Sequence, residues 1–220
     1  MIDYAHARKT MVDNQLRTSS VTDRRVLAAM GEVPRELFVP AARRLLAYID
    51  EAHPLEGAPG RYLGAPAPFA RLVQLAEIDH TDDVLDVGCG NGYSAAVLSR
   101  LAARVVAVEP DSNLAAKARA TLKDLGAANV EVIEGALADG APAKGPYDVI
   151  VIEGGISAVP EALFGQLKPE GVLVALVAEG GRPPVAHVFA QSGRGIAARA
   201  EFDGKLPPLA TAPPTDEFVF

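Results

Sequence analysis

Between Val84 and Glu179 the chain alternates short, almost continuously apolar runs with stretches of helical periodicity. "VLDVG", "RVVAVE", "NVEVIEG", "YDVIVIE" and "GVLVALVAE" read as strands, and "GYSAAVLSRLAA", "DSNLAAKARATLKDLG" and "PEALFGQLK" as the helices between them. A strand that is apolar on both faces needs cover on both faces. Strands each followed by a helix meet that demand in a parallel α/β sheet. The tail departs from the pattern. "VAHVFAQ" and "IAARAEF" are separated only by "SGRG", which predicts an antiparallel hairpin at the end of the sheet. A Pro-rich arm, "KLPPLATAPPTDEFVF", follows. The two Phe in its last three positions point to docking rather than a free tail.

The first third reads as helical. "HARKTMVDNQL" places Met11, Val12, Gln15 and Leu16 at helical spacing, and "VTDRRVLAAM" places Val26, Leu27 and Met30 on one stripe with Thr22 as cap. "VPRELFVP" is a short helix with Pro34 in its first turn, and "AARRLLAYID" another. Residues 51–68, "EAHPLEGAPGRYLGAPAP", read as a loop, and "PFARLVQLAEI" as a helix burying Phe69, Leu72, Val73 and Ala76. The expected organisation is 1–80 as N-terminal helices and a loop, packed on an α/β domain over 81–220.

The chain carries 21 basic and 28 acidic residues, net −7. That balance disfavours a bulk electrostatic grip on nucleic acid or an anionic membrane. No apolar run is long enough to span a bilayer, and the charged N-terminus does not read as a secretory signal, so the cytoplasm is the expected location. A single cysteine, Cys89, excludes an intrachain disulfide and reads as a small buried residue. His6, His53, His80 and His187 are scattered without metal-ligand spacing and read as surface or packing residues; no metal is expected.

The first strand of the alternating region runs into Gly88, Gly90 and Gly92, with Asp86 two residues before the first. Glycine lets main chain approach a ligand that a side chain would block. Ligands of doubly wound sheets bind at the carboxyl ends of the strands. The spacing is G-x-G-x-G rather than the dinucleotide G-x-G-x-x-G, which fits a pyrophosphate less well than S-adenosylmethionine. The second strand ends at Glu109, where a carboxylate can accept hydrogen bonds from two ribose hydroxyls. That feature serves either nucleoside ligand.

The segments "MVDNQL" (11–16), "VLAAMGEVPRELFVP" (26–40), "AYID" (47–50), "VLDVGCGNGYSAAVL" (84–98), "VAVEPD" (106–111), "LGAANVEV" (125–132), "PYDVIVIEGG" (146–155) and "VPEALFGQLKPEGVLVALV" (159–177) resemble, in order, the protein-L-isoaspartate O-methyltransferase family. The resemblance implies a seven-stranded methyltransferase sheet, mostly parallel with an antiparallel end, and an N-terminal helical extension. It implies S-adenosylmethionine as cofactor and carboxyl methylation of L-isoaspartyl residues in damaged proteins. Carried over, Asp86, Gly88, Cys89, Gly90, Gly92, Glu109, Pro110 and the segment Gly135, Ala136, Leu137 would line the cofactor site.

The chain departs from the family at two loops and one contact. Where the family reads G-Q-T-I-S-Q-P, this chain reads "GRYLGAP", so Gly64 stands at the active-site serine and Ala65 at a glutamine. Where the family has G-D-G, it reads Gly135-Ala136-Leu137. "EGGISAVP" introduces Glu153 at a strand's carboxyl end. Candidate catalytic residues are therefore Arg61, which could pair with an acceptor carboxylate but otherwise reads as a solvated loop arginine, and Glu153, as a base, a cap or a cofactor contact. Tyr62 reads as core packing. The acceptor is a protein or peptide, with a small molecule as the alternative; a non-catalytic S-adenosylmethionine-binding protein is the third reading.

Overall fold

The computed structural model describes residues 3–178, 182–193 and 195–209. A seven-stranded sheet has the order β5-β4-β3-β6-β7-β8-β9. Its strands are β3 (Asp83–Val87), β4 (Arg104–Glu109), β5 (Val130–Glu134), β6 (Tyr147–Ile156), β7 (Leu167–Val177), β8 (Val185–Ser192) and β9 (Gly195–Asp203). Pairs from β5 through β7 are parallel, and β7–β8 and β8–β9 are antiparallel. The expected parallel sheet with a hairpin end is thus present. Strand order reverses at β3, with β4 on one side and β6 on the other. The crevice beyond the ends of β3 and β6 is the place where such sheets hold ligands.

Both faces of the sheet are covered, as the apolar strands require. Val84, Val105, Ala107, Val149, Val151, Val174 and Leu176 join one buried cluster, while Leu85, Val87, Val106, Val108, Ile150, Ile152 and Leu173 join a second. Alternate side chains of one strand point to opposite faces, so each strand serves both clusters. Helices α1 (Tyr4–Met11), α2 (Arg24–Glu32), α3 (Pro66–Leu75), α4 (Tyr93–Leu98) and α5 (Ser112–Asp124) contribute to the first cluster, and the short α6 (Glu161–Phe164) to the second.

Several local expectations are corrected. Helix α2 is capped by Asp23, whose carboxylate accepts the Arg25 N–H at 2.7 Å; Thr22 instead donates its N–H to the Gln74 side chain. "VPRELFVP" forms only a single 3-10 turn, Arg35–Leu37, with Pro34 before it rather than inside. Residues 51–68 are not simply loop. β1 (His53–Pro54) and β2 (Tyr62–Leu63) pair antiparallel, and α3 already begins at Pro66. His53 is fully buried, and burial with Arg35 and Arg43 nearby pushes its imidazole down to about 4. The terminal Phe-Val-Phe lies outside the described residues.

The outer strand β5 has a particular guard. Arg119 on α5 reaches over it and donates from Nε and Nη2 to the Val132 carbonyl at 3.2 and 3.1 Å. Its Nη1 pairs with Glu134 at 2.8 Å.

Candidate active site

The turn after β3 is built from three left-handed glycines, with φ of +89° at Gly88, +57° at Gly90 and +96° at Gly92. Only glycine adopts that run without strain. Gly92 then starts α4, and Gly88 and Cys89 N–H groups both donate to the Val108 carbonyl, locking the turn to β4. From the other side, Asn91 Nδ2 donates to the Phe38 carbonyl at 2.5 Å. Tyr93 sits against Phe38 and Phe69, with the Arg35 guanidinium 4.8 Å from its ring centre. The N-terminal third is therefore fastened to the glycine turn by aromatic packing and side-chain hydrogen bonds.

Glu109, at the end of β4, is fully buried. Its Oε2 accepts the Gly90 N–H at 2.8 Å and its Oε1 the Asp111 N–H at 3.1 Å. Arg61 completes the set. Nη1 donates to Oε1 at 2.5 Å, Nη2 to Oε2 at 2.6 Å, and Nη2 also approaches the Gly88 carbonyl at 3.2 Å. This parallel two-bond pair is the strongest geometry between a guanidinium and a carboxylate. Arg61 is not a solvated loop arginine, which corrects that expectation; its guanidinium is turned to Glu109. Only 16% of its side chain is exposed, and the partner that fixes it lies 48 positions away in the sequence, out of reach of a local reading. Tyr62, expected in the core, is 43% exposed at the start of β2.

Asp86 is buried one residue before the end of β3. Its Oδ2 accepts the Ser94 hydroxyl at 2.7 Å, tying the strand to α4, while Oδ1 has no partner among the described residues. Burial and the neighbouring Glu109 charge push its carboxyl up to about 7, with the Ser94 bond opposing them. Glu153 on β6 is half-buried, with its Oε1 out of water and unpartnered among the described residues; desolvation and Asp86 raise it well above the usual carboxylate range. A carboxyl pushed up in this way gives up its proton less readily than an exposed one. Burial pushes the Cys89 thiol up as well, in keeping with a small buried residue rather than a nucleophile.

The raised Asp86 value has a measurable sign. Between its unfolded value of 3.8 and about 7, the folded chain holds a proton that the unfolded chain releases. This contribution to stability is fully present below 3.8 and is lost as pH rises through about 7. Asp86→Asn keeps an acceptor for Ser94 without the charge. Its unfolding midpoint is expected to gain on the parent progressively between about pH 4 and 7 and to hold that gain above it. Parallel curves for the two proteins would contradict the assignment.

The other expected cofactor residues are dispersed. Gly135 N–H donates to the Glu109 carbonyl at 3.3 Å, which sets the segment after β5 beside the site. Ala136 and Pro110 are exposed, whereas Leu137 is buried in the second cluster. At Gly64, a β-carbon would stand 2.8 Å from Leu206 Cδ2, so the arm after β9 occupies the space beside this position. Leu55, Leu206 and Leu209 were not expected at the site. The one trace they leave in the sequence is a glycine opposite each: Gly90, Gly64 and Gly88. Leu55, Tyr62, Leu63, Phe69, Tyr93 and Glu153 help to enclose only about 20 Å³ against the turn.

The main-chain frame and the acid at the end of β4 suit a nucleoside, and an unpartnered acidic oxygen on Asp86 suits a cationic one. The residues present therefore match S-adenosylmethionine in kind, although Arg61, Leu55 and Leu209 lie in the cleft.

Comparison with known proteins agrees with this frame. A family model described as protein-L-isoaspartate(D-aspartate) O-methyltransferase matches residues 6–201. A protein-L-isoaspartate O-methyltransferase of Koribacter versatilis is 40% identical over 191 residues, covering 87% of this chain and 85% of that protein. One from Methanoregula boonei is 43% identical over 175 residues, covering 80% and 79%. A solved protein-L-isoaspartate O-methyltransferase superposes with a TM-score of 0.81 at 26% identity, over 92% of this chain and 66% of that one. A Plasmodium falciparum structure, described as a complex with S-adenosyl-L-homocysteine, shares the fold with a TM-score of 0.78 at 21% identity, over 93% and 99%. With one model spanning nearly the whole α/β core and relatives matching four residues in ten along most of both lengths, the chain belongs to the protein-L-isoaspartate(D-aspartate) O-methyltransferase family.

Proposed function

We propose that the chain is an S-adenosylmethionine-dependent O-methyltransferase that methylates the carboxylate of L-isoaspartyl residues in damaged proteins. The observation that carries the reading is the left-handed glycine turn set against Glu109 at the strand-order reversal, in a chain of this family. Glu109 would receive the ribose hydroxyls, the main chain of Gly88 to Gly92 would lie along the nucleoside, and the Gly135–Leu137 segment would border the base. Residues 1–80 would form the acceptor side, and 81–220 the cofactor domain.

Bound there, S-adenosylmethionine supplies an electrophilic methyl: the acceptor oxygen forms its bond to carbon while the carbon–sulfur bond breaks and its electron pair stays on sulfur. An acceptor carboxylate is ionised at neutral pH and needs no general base. The protein's work is to align it with the methyl group and exclude water. Gly64 supplies no hydroxyl for that alignment; its own main-chain N–H would serve in its place.

Radiolabelled methyl transfer to an isoaspartyl peptide tests the reading. The expected result is base-labile label on the peptide and none on its aspartyl counterpart. A second reading, transfer to a different acceptor, is favoured by one observation: Leu206 packed on Gly64. Label on another acceptor and none on the isoaspartyl peptide would select it. Label on no acceptor, with S-adenosylhomocysteine still bound, would leave a binding protein without catalysis.

A further inference from the structure

All the acceptor positions of Glu109 are taken by the chain itself. A carboxylate offers about four lone-pair sites. Here two go to Arg61, one to Gly90 and one to Asp111. Sugar hydroxyls arriving at this residue would find no free acceptor. The space above the turn is filled in the same way. Leu209 Cδ2 lies 2.7 Å from where a β-carbon on Gly88 would stand, and Leu55 Cδ1 2.9 Å from the same point on Gly90. The arm that brings Leu209 is held in register, with Leu209 N–H donating to the Gly155 carbonyl at 2.8 Å and Gly155 N–H to that of Pro207 at 2.9 Å. The 20 Å³ that remain compare with several hundred in an ordinary small-molecule pocket, roughly 300 Å³ or more.

We propose that Arg61 is a resident plug: its guanidinium occupies the sugar site in the cofactor-free protein, holds the cleft closed, and must swing off Glu109 before cofactor enters. This rests on the methyltransferase reading above. The electrostatics give the plug a reason. Asp86, Glu109, Glu153 and Arg61 all act on Cys89 and so form one cluster, three carboxyls with one guanidinium. Without a cation there, ionised carboxylates in low dielectric would repel. Arg61 provides that cation in the closed form. An incoming sulfonium brings a positive charge of its own, so the cluster exchanges one cation for another on opening. Leu55 is linked to the same movement, because its N–H donates to the Arg61 carbonyl at 2.9 Å.

A ligand that binds only the open form loses apparent affinity in proportion to the closed population. Arg61→Gln keeps a polar side chain but removes the ion pair. Calorimetric titration with S-adenosylhomocysteine is expected to show binding about 10- to 100-fold tighter in Arg61→Gln than in the parent. Amide hydrogen exchange without ligand is expected to be faster at Leu55 and Arg61 in the variant, a change that a direct role of Arg61 in holding cofactor does not produce. Leu209→Ala, which leaves the ion pair intact, should shift affinity in the same direction by a smaller factor. It provides the test if Arg61→Gln fails to fold. Equal or weaker binding by the variants, with the parent binding measurably, overturns the plug and leaves the methyltransferase reading standing. Absence of binding by parent and variants alike overturns both.

Discussion

Replacing Glu109 with alanine is expected to lower folding stability by about 3–5 kcal/mol and to abolish S-adenosylhomocysteine binding, the largest combined effect of any single substitution considered for this protein. The carboxylate is fully buried and collects four N–H donors from three segments, Arg61, Gly90 and Asp111. Its removal leaves a guanidinium that is mostly out of water with no counter-charge, and a main-chain N–H at Gly90 with no acceptor. Truncating one member of a buried pair is far more costly than replacing both, because the survivor stays desolvated. Thermal unfolding checks the first half, with an expected fall of roughly 10 °C for a chain of this length. The double variant Glu109→Ala with Arg61→Ala should recover part of the loss. A fall of less than about 1 kcal/mol in the single variant would show that the ion pair does not persist in solution.

Arg35→Ala carries the second large expectation, a loss of about 3 kcal/mol. Arg35 is fully buried and forms no ion pair among the described residues. It donates from Nε to the Ala47 carbonyl at 2.8 Å and from Nη2 to the Gly64 carbonyl at 2.6 Å, and its plane covers Tyr93. Alanine would leave two carbonyls unpaired and a void beneath an aromatic ring. Arg35→Lys should recover little, since a single ammonium cannot serve two carbonyls and stack at once. Chemical denaturation of the three proteins measures this. Full recovery by lysine would show that charge alone matters at this position. Because Gly64 belongs to the proposed acceptor loop, both variants should also raise the KM for acceptor more than they lower kcat.

The contrast between these residues shows what could be read in the sequence. The strands were legible because their apolar runs are continuous, and a two-faced sheet leaves little choice of architecture. The glycine turn and Glu109 were legible because each sits where a strand must stop. Arg61 was not, because its meaning depends on a partner 48 positions away, brought there by folding. The β1–β2 pair lay hidden in a Pro- and Gly-rich stretch with no alternation to mark it. Leu206 and Leu209 lay in a Pro-rich arm without periodicity, and their contacts follow from the path of the chain after β9. The cap of α2 was misplaced by one residue, since Thr22 and Asp23 are both competent caps and Gln74, distant in sequence, claims the threonine.

Arg119 carries a consequence for assembly. An open sheet margin is a template on which another extended chain can add. At β5 the Val132 carbonyl that would receive such a chain already accepts two guanidinium N–H groups. Strand addition on that margin is obstructed without any loss of the sheet's own pairing. Any growth by edge-to-edge joining is thereby directed to the opposite margin at β9, where Arg199 and Glu201 place paired charges in the path of an incoming apolar strand.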